Sequence, residues 1–189
     1  MRLYAGLIPP QTMLDELDAV VRSAGGDSSE LDPVPVRSLH IPVTSFGNVA
    51  HGDAVALGNA LMSEAANWAP MELRFSGGAA LEWPGDDSVW AKLDGDIEQL
   101  SMIGRTIPVV VQRLGFLVDR RKFRTWLCVG HITSATTAEF LQRLVDSLEA
   151  YRGPAWTLRE VCLLRERRPT LATESTHLEV YQRIPLNGA

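Results

Sequence analysis

Apolar residues in this chain alternate between the spacing of strands and the spacing of helices, and the order strand, helix, strand, helix occurs twice. This repeated order predicts an α+β fold, in which two pseudo-symmetric lobes of antiparallel sheet have helices packed on their outer faces. A polar, turn-rich loop is predicted for residues 25–35. The predicted strands cover about residues 2–8, a segment containing His40, 71–75, 89–93, 123–132, 156–164 and 178–184, and the predicted helices cover about 13–24, 53–68, 97–114 and 136–151.

Size and charge limit the classes of function that this sequence can serve. With 189 residues, of which 46% are hydrophobic, the chain is long enough for a single domain over residues 1–189. Its net charge of −5 does not imply a general affinity for nucleic acid, so any contact with phosphate has to come from a local basic cluster. No apolar run approaches the roughly 20 residues of a membrane span, and the N-terminus is broken too early for a signal peptide. A cytoplasmic protein is therefore expected.

Two stretches stand out as candidate functional motifs. Residues 38–49, with the sequence SLHIPVTSFGNV, place His40 on an apolar strand that runs into the turn at Phe46 and Gly47. Residues 122–129, with the sequence KFRTWLCV, read as a second strand of the same kind, in which Phe123 and Arg124 come just before the apolar run. The two cysteines, Cys128 and Cys162, both lie in apolar runs without zinc-type spacing, which predicts buried thiols.

Together these stretches resemble the paired signature of the 2H phosphoesterases, the family of RNA 2′,3′-cyclic phosphodiesterases and 2′-5′ RNA ligase-like proteins. In that family two strands each carry a His-x-Thr or His-x-Ser element. The resemblance implies a bilobed fold around a central cleft and a chemistry that needs no metal and no organic cofactor. The signature is degenerate here, because Pro42 stands at the first Thr position, and Trp126 and Cys128 stand at the second His and Thr positions. The matching residues are Leu39, His40, Phe46, Gly47, Phe123 and Arg124.

The departures from the signature affect the chemistry directly. Opening a cyclic phosphodiester needs one group that removes a proton and another that protonates the departing ribose oxygen, and imidazole suits both tasks. His40 can still titrate, and Pro42 faces the same side of the strand but has no hydroxyl. An indole at Trp126 is not a useful acid or base, and the thiol of Cys128 bonds only weakly to hydrogen-bond partners. Efficient two-histidine catalysis is therefore not expected.

A second histidine could come from further along the same strand. His131, Ile132 and Thr133 spell His-x-Thr, and His131 is a candidate catalytic partner of His40. Five residues separate Trp126 from His131, so a regular strand would point them to opposite faces. Only a bulge would bring His131 to the cleft, and the sequence does not require one.

A basic run precedes the second motif and is the best candidate for holding phosphate. It contains Arg120, Arg121, Lys122 and Arg124, and Arg124 matches the Phe-Arg element of the family. A solvated surface loop is the alternative interpretation of this run. Trp126 could stack on a nucleobase or fill the cleft as core, and its apolar neighbours favour core filling.

The sequence therefore predicts a bilobed 2H phosphoesterase-like protein with a degenerate active site. The leading hypothesis is that it binds a phosphorylated nucleotide or RNA end with weak or no turnover, and that it binds neither DNA nor membranes. Two alternatives stay open. One is an active cyclic phosphodiesterase that uses His40 and His131, and the other is a non-catalytic protein-interaction module in which Trp126 plugs the site. The sequence does not define an oligomeric state.

Overall fold

The computed structural model describes residues 1–116, 122–167 and 177–188. Within them, the chain forms strands, helices and one short 3₁₀ turn at Val36–Ser38. The strands are β1 (Arg2–Leu7), β2 (Leu31–Pro33), β3 (Ile41–Asn48), β4 (Met71–Ala80), β5 (Ser88–Gly95), β6 (Trp126–Ile132), β7 (Trp156–Leu158), β8 (Glu160–Arg167) and β9 (His177–Pro185). The helices are α1 (Gln11–Ser23), α2 (His51–Ala65), α3 (Ile97–Arg113) and α4 (Ala138–Ala150).

The strands form two antiparallel sheets. The first sheet has the order β3-β1-β8-β9, and the second has the order β2-β6-β5-β4-β7. Helix α2 packs against β9 of the first sheet, and α4 packs against β4 of the second. The predicted α+β fold with two lobes of antiparallel sheet and outer helices is confirmed. In the described part of the chain, no helix has both the length and the apolar character that a membrane crossing requires.

The helices form where the sequence shows helical spacing of apolar residues. In α4 the buried residues Phe140, Leu144 and Leu148 repeat every four residues and face the second sheet. Thr137 caps this helix, since its hydroxyl accepts a hydrogen bond from the Phe140 amide at 3.2 Å. Helix α3 ends just before Gly115, whose φ of 84° suits glycine, as the sequence predicted.

Two of the predicted elements are wrong in detail. The single strand expected over residues 156–164 is two strands, because β7 pairs with β4 in the second sheet and β8 pairs with β1 in the first. The chain crosses between the lobes at this point, and periodicity within one apolar run does not reveal such a crossing. The polar loop expected over residues 25–35 contains β2, which pairs with the end of β6 through Leu31 and Ile132.

Bulges in β3 and β6 determine what faces the space between the two sheets. On β3, Ala5 pairs with Thr44 and Gly6 pairs with Pro42, so Val43 is the extra residue. β3 is also an edge strand of its sheet, which fits the expectation that a proline in a strand marks an edge or a bulge.

The bulge on β6 lies at the corresponding place in the second sheet. Val89 pairs with Gly130 and Trp90 pairs with Cys128, so Val129 is the extra residue. The strand therefore changes the facing of its side chains between Cys128 and His131.

Replacing Gly78 with alanine is expected to lower the free energy of unfolding by about 1–3 kcal/mol, because the added methyl group overpacks the contact between β4 and α4. A Cβ atom at Gly78 would lie 2.6 Å from the Leu148 Cβ and 3.0 Å from the Val145 carbonyl oxygen. Urea unfolding of the variant measures this loss. Gly52→Ala is the control, since a Cβ there meets nothing within 4 Å. Equal stability of the two variants would contradict the packing account.

Candidate active site

A cleft of about 440 Å³ lies where the two sheets approach each other. The first lobe contributes His40 and Pro42 to its walls. The second lobe contributes Trp90 from β5, Cys128 and His131 from β6, and the loop 81–87 that precedes β5. Both candidate histidines therefore line the same cleft, although they belong to different lobes.

His40 lies immediately before β3 and is half-buried. Its Nδ1 lies 2.9 Å from the Ser38 carbonyl oxygen. A carbonyl only accepts, so Nδ1 carries the proton of the neutral ring, and Nε2 is left with its lone pair. Gly6 on the neighbouring strand β1 makes room for the ring, because a Cβ there would lie 3.2 Å from the His40 Cδ2. Burial lowers the pKa of His40, and the bond to Ser38 offsets this only in part.

The lowered pKa of His40 predicts a pH dependence of stability. In the unfolded chain the ring has its ordinary pKa of about 6.5, so below about pH 6.5 the unfolded state binds more protons than the folded state. The contribution of His40 to stability is therefore present above about pH 6.5 and is lost as the pH falls toward the folded pKa. We expect the free energy of unfolding to fall more steeply below about pH 6.5 in the parent protein than in His40→Asn. Superimposable pH profiles of the two proteins would contradict this prediction.

His131 reaches the cleft because of the bulge at Val129. In a regular strand His131 would face away from Trp126 and the cleft, and this expectation from the sequence is wrong, because the extra residue restores the inward facing. The Cys128 Sγ lies 3.8 Å from the His131 Nε2. The two residues are therefore neighbours on the cleft wall.

The other nitrogen of His131 is held by the loop before β5. The Asp87 Oδ1 lies 3.1 Å from the His131 Nδ1, and the Ser88 hydroxyl lies 3.3 Å from the same atom. The hydrogen bond with His131 holds the pKa of the Asp87 carboxyl below its usual range, so Asp87 is charged at neutral pH. Asp87 thus fixes Nδ1–H as the donor and turns Nε2 toward the cleft and Cys128.

Sequence reasoning missed the loop that carries Asp87. Asp86 organises this loop, since its carboxylate accepts hydrogen bonds from the Trp90 indole at 3.0 Å and from the Ser88 amide at 3.1 Å. The only signal in the sequence is two adjacent aspartates between the Pro84-Gly85 turn and a strand. Their proximity to His131 depends on the pairing of β5 with β6, which no local pattern reveals.

Thr133 does not supply the hydroxyl of a second motif. Its hydroxyl donates to the Ser29 carbonyl at 2.7 Å and accepts from the Ala135 amide at 3.1 Å. These bonds fix the turn after β6. Among the described residues, the His131 ring contacts the polar side chains of Asp87, Ser88 and Cys128.

Trp126 does not fill the core, and this expectation from the sequence is wrong. Its side chain is half-buried, and the Arg124 guanidinium covers one side at 4.7 Å from the ring centre. The same guanidinium lies 4.4 Å from the ring centre of Trp83, which is itself 36% exposed. Lys92 lies 5.4 Å from the Trp126 ring. Trp126 is thus part of a stack of indoles and cations beside the cleft.

The four cations of the run proposed for phosphate binding have different placements. Arg124 stacks on Trp83, which lines the cleft, and Lys122 is exposed. Arg120 and Arg121 lie outside the described residues. A phosphate contact by these residues stays a prediction.

Comparison with known proteins gives matches in structure but none in sequence. No family model and no curated protein matches the chain. The structure of E. coli LigT complexed with 3′-AMP superimposes with a TM-score of 0.76 at 15% identity, covering 98% of this chain and 97% of LigT. A phosphoesterase structure gives a TM-score of 0.74 at 15% identity over 98% of both chains. TT0787 of Thermus thermophilus gives 0.71 at 17% identity, covering 100% of this chain and 99% of that one.

These matches confirm the fold that the resemblance to the 2H phosphoesterases implied. LigT and TT0787 are members of that superfamily, and the superposition extends over nearly the whole chain. At such low identity the likeness establishes the fold alone. What the cleft does has to be argued from its own residues.

Proposed function

We propose that this protein binds a phosphorylated nucleotide or RNA end in the cleft and slowly opens 2′,3′-cyclic phosphodiesters without a metal ion. The observation that carries the proposal is the placement of His40 and His131, from different lobes, on the walls of one cleft. Each has its Nδ1 engaged by the protein, at Ser38 and Asp87 respectively. This leaves both Nε2 atoms for proton transfer. We also propose that residues 1–189 form a single domain and that the protein is cytoplasmic.

The two histidines differ in the roles that they suit. Burial keeps His40 neutral at neutral pH, so its Nε2 suits removal of a proton from the attacking water. The His131 Nδ1 is held by the Asp87 carboxylate at 3.1 Å, which directs the Nε2 of His131 into the cleft, where it is placed to donate a proton to the ribose oxygen as the P–O bond breaks. This division gives one base and one acid without a second copy of the family motif.

Aromatic side chains of the cleft support a nucleotide as the ligand. Trp83 and Trp90 both line the cleft, and their ring centres are 5.6 Å apart. Indole faces of this kind stack on nucleobases with little regard to sequence. Crystal structures of E. coli LigT contain 3′-AMP, phosphate, ATP or NADP⁺, so a protein of the same fold holds phosphorylated nucleotides.

The residues that line the cleft also explain why turnover is expected to be slow and affinity for phosphate modest. Of the described residues that line the cleft, two are aspartates and none is a lysine or arginine. Arg124, stacked on Trp83, is the proposed phosphate-contacting cation, with Lys122 and Arg121 as further candidates. Pro42 offers no hydroxyl to the phosphate, and Cys128 offers only a thiol. The loss of one such donor typically costs about 10²–10³ in rate.

Turnover of 2′,3′-cyclic AMP in the presence of a chelator tests this proposal. We expect a slow hydrolysis that is unchanged by EDTA, since imidazoles do the proton transfer. Product analysis by chromatography should show a single phosphomonoester. Binding of 3′-AMP without turnover would favour the purely binding protein of the leading sequence hypothesis. If the protein neither binds 3′-AMP nor hydrolyses the cyclic nucleotide, the proposal is wrong and a protein-interaction role is favoured.

A further inference from the structure

Three side chains at one end of the cleft lie in the order thiol, imidazole, carboxylate. The Cys128 Sγ is 3.8 Å from the His131 Nε2, and the His131 Nδ1 is 3.1 Å from the Asp87 Oδ1. The Val129 bulge brings the first two together on one strand, and the loop before β5 supplies the third. The proposed phosphodiesterase chemistry makes no use of the thiol.

In this arrangement Cys128 is placed as a nucleophile, His131 as its base and Asp87 as the group that orients the base. With Nδ1–H donating to Asp87, the neutral His131 ring presents the lone pair of Nε2 to the thiol. The carboxylate also stabilises the charge that His131 acquires when it takes the thiol proton. The described residues contain no group of three or more His, Cys, Asp or Glu side chains that could hold a metal ion, so the cluster does not have the arrangement of a metal site.

The surroundings of the thiol make it depend on the histidine. Burial raises the pKa of Cys128, and the hydrogen bonds with Ser88 and with the Gly130 carbonyl, 3.4 Å from the sulfur, offset this only in part. The nearby carboxylates of Asp86 and Asp87 raise the pKa further. The resting group is therefore a thiol and not a thiolate. It reacts as a nucleophile only if a base removes its proton during the attack, and His131 is the base within reach.

We infer that Cys128 is a nucleophile that accepts acyl groups from activated esters or thioesters entering the cleft, with His131 as its base and Asp87 as a positioning residue. The sulfur attacks the carbonyl carbon while its proton moves to the His131 Nε2. The bond from that carbon to the leaving oxygen or sulfur then breaks, and the leaving group departs with the electron pair and takes the proton from His131. Acyl-Cys128 remains. Water then attacks the thioester carbonyl, the bond from carbon to sulfur breaks, and the acyl group leaves as a carboxylic acid while the sulfur regains its proton.

Acylation of the full-length protein by p-nitrophenyl acetate tests this inference. We expect release of p-nitrophenolate and the gain of one acetyl group by intact-mass measurement, both absent in Cys128→Ala. His131→Ala should slow the acylation by at least about tenfold, because base catalysis is typically worth about 10²–10⁴ in rate. Asp87→Asn should slow it less. Cys162→Ala is the matched control, since Cys162 is fully buried and should not react.

The inference fails if His131→Ala and Asp87→Asn react at the parent rate, or if the acetyl group persists in Cys128→Ala. His131→Gln keeps most of the side-chain volume and replaces His131→Ala if that variant does not fold. Asp87 is exposed on a loop, so its variant tests the relay in a folded protein. The readout involves no phosphate ester. Acylation of Cys128 without turnover of the cyclic phosphate would therefore support this inference and contradict the proposed function. Turnover of the cyclic phosphate without acylation would support the proposed function and contradict this inference.

Discussion

Replacing either His40 or His131 with alanine is expected to lower kcat/KM for a 2′,3′-cyclic nucleotide by about 10²–10⁴-fold, the usual effect of losing one acid or base group. Both rings line the cleft, and each has its Nδ1 fixed by the protein. The double variant should be little worse than either single variant, because the two groups act in one reaction. Steady-state hydrolysis of 2′,3′-cyclic AMP gives kcat/KM for the two single variants and the double variant.

His51→Ala is the control for these variants, since His51 is exposed at the start of α2. Its rate should equal that of the parent protein. If His131→Ala also keeps the parent rate while His40→Ala is inactive, His131 is not the partner of His40. The acid would then have to be sought elsewhere in the cleft.

Replacing Pro42 with threonine is expected to raise kcat by about 10²-fold, because it gives the transition state a hydroxyl donor that the cleft lacks at this position. Pro42 is exposed, lines the cleft and lies on the edge strand β3 two residues after His40. An edge position tolerates the change from proline, since the new amide can face solvent. Single-turnover rates on a cyclic nucleotide measure the gain.

Pro42→Val separates the hydroxyl from the shape of the side chain. Valine has the branched form of threonine but no donor, so the hydroxyl account predicts no gain for this variant. Equal gains in Pro42→Thr and Pro42→Val would contradict the hydroxyl account. They would show that the rate of the parent protein is limited by the shape of the proline ring and not by the missing hydroxyl.

The sequence was sufficient for the features that depend on one segment at a time. The repeated order of strands and helices predicted two lobes, and the motif around His40 predicted which known fold they form. His40 and Pro42 were expected to share the cleft because a strand repeats its facing every two residues, and both do line it. The edge or bulge at Pro42 followed from its missing amide, and both are present.

The second half of the candidate site depends on contacts between distant segments. The facing of His131 is set by the bulge at Val129, for which the adjacent Gly130 is only a weak local signal, since a glycine within a strand has several other causes. Asp87 reaches His131 only because β5 pairs with β6, and the two residues are 44 positions apart. The local pattern of apolar residues therefore predicts neither the facing of His131 nor its contact with Asp87.

Trp126 shows a different limit of sequence reasoning. Its apolar neighbours predicted core filling, but the pattern of a strand does not say what covers each face. Arg124 and Lys92 cover the ring from outside, which leaves it half-buried beside the cleft. Such cation contacts can form on any exposed indole and leave no periodic signal.

The central claim is that His40 and His131 act on one phosphate, and an NMR titration of the imidazole signals with 3′-AMP tests it most directly. The chain has four histidines, so each signal can be assigned by substitution. The account predicts that the signals of His40 and His131 shift together along one binding curve, while that of His51 stays in place. Movement of only one of the two signals, or of neither at saturating 3′-AMP, would contradict a shared phosphate site.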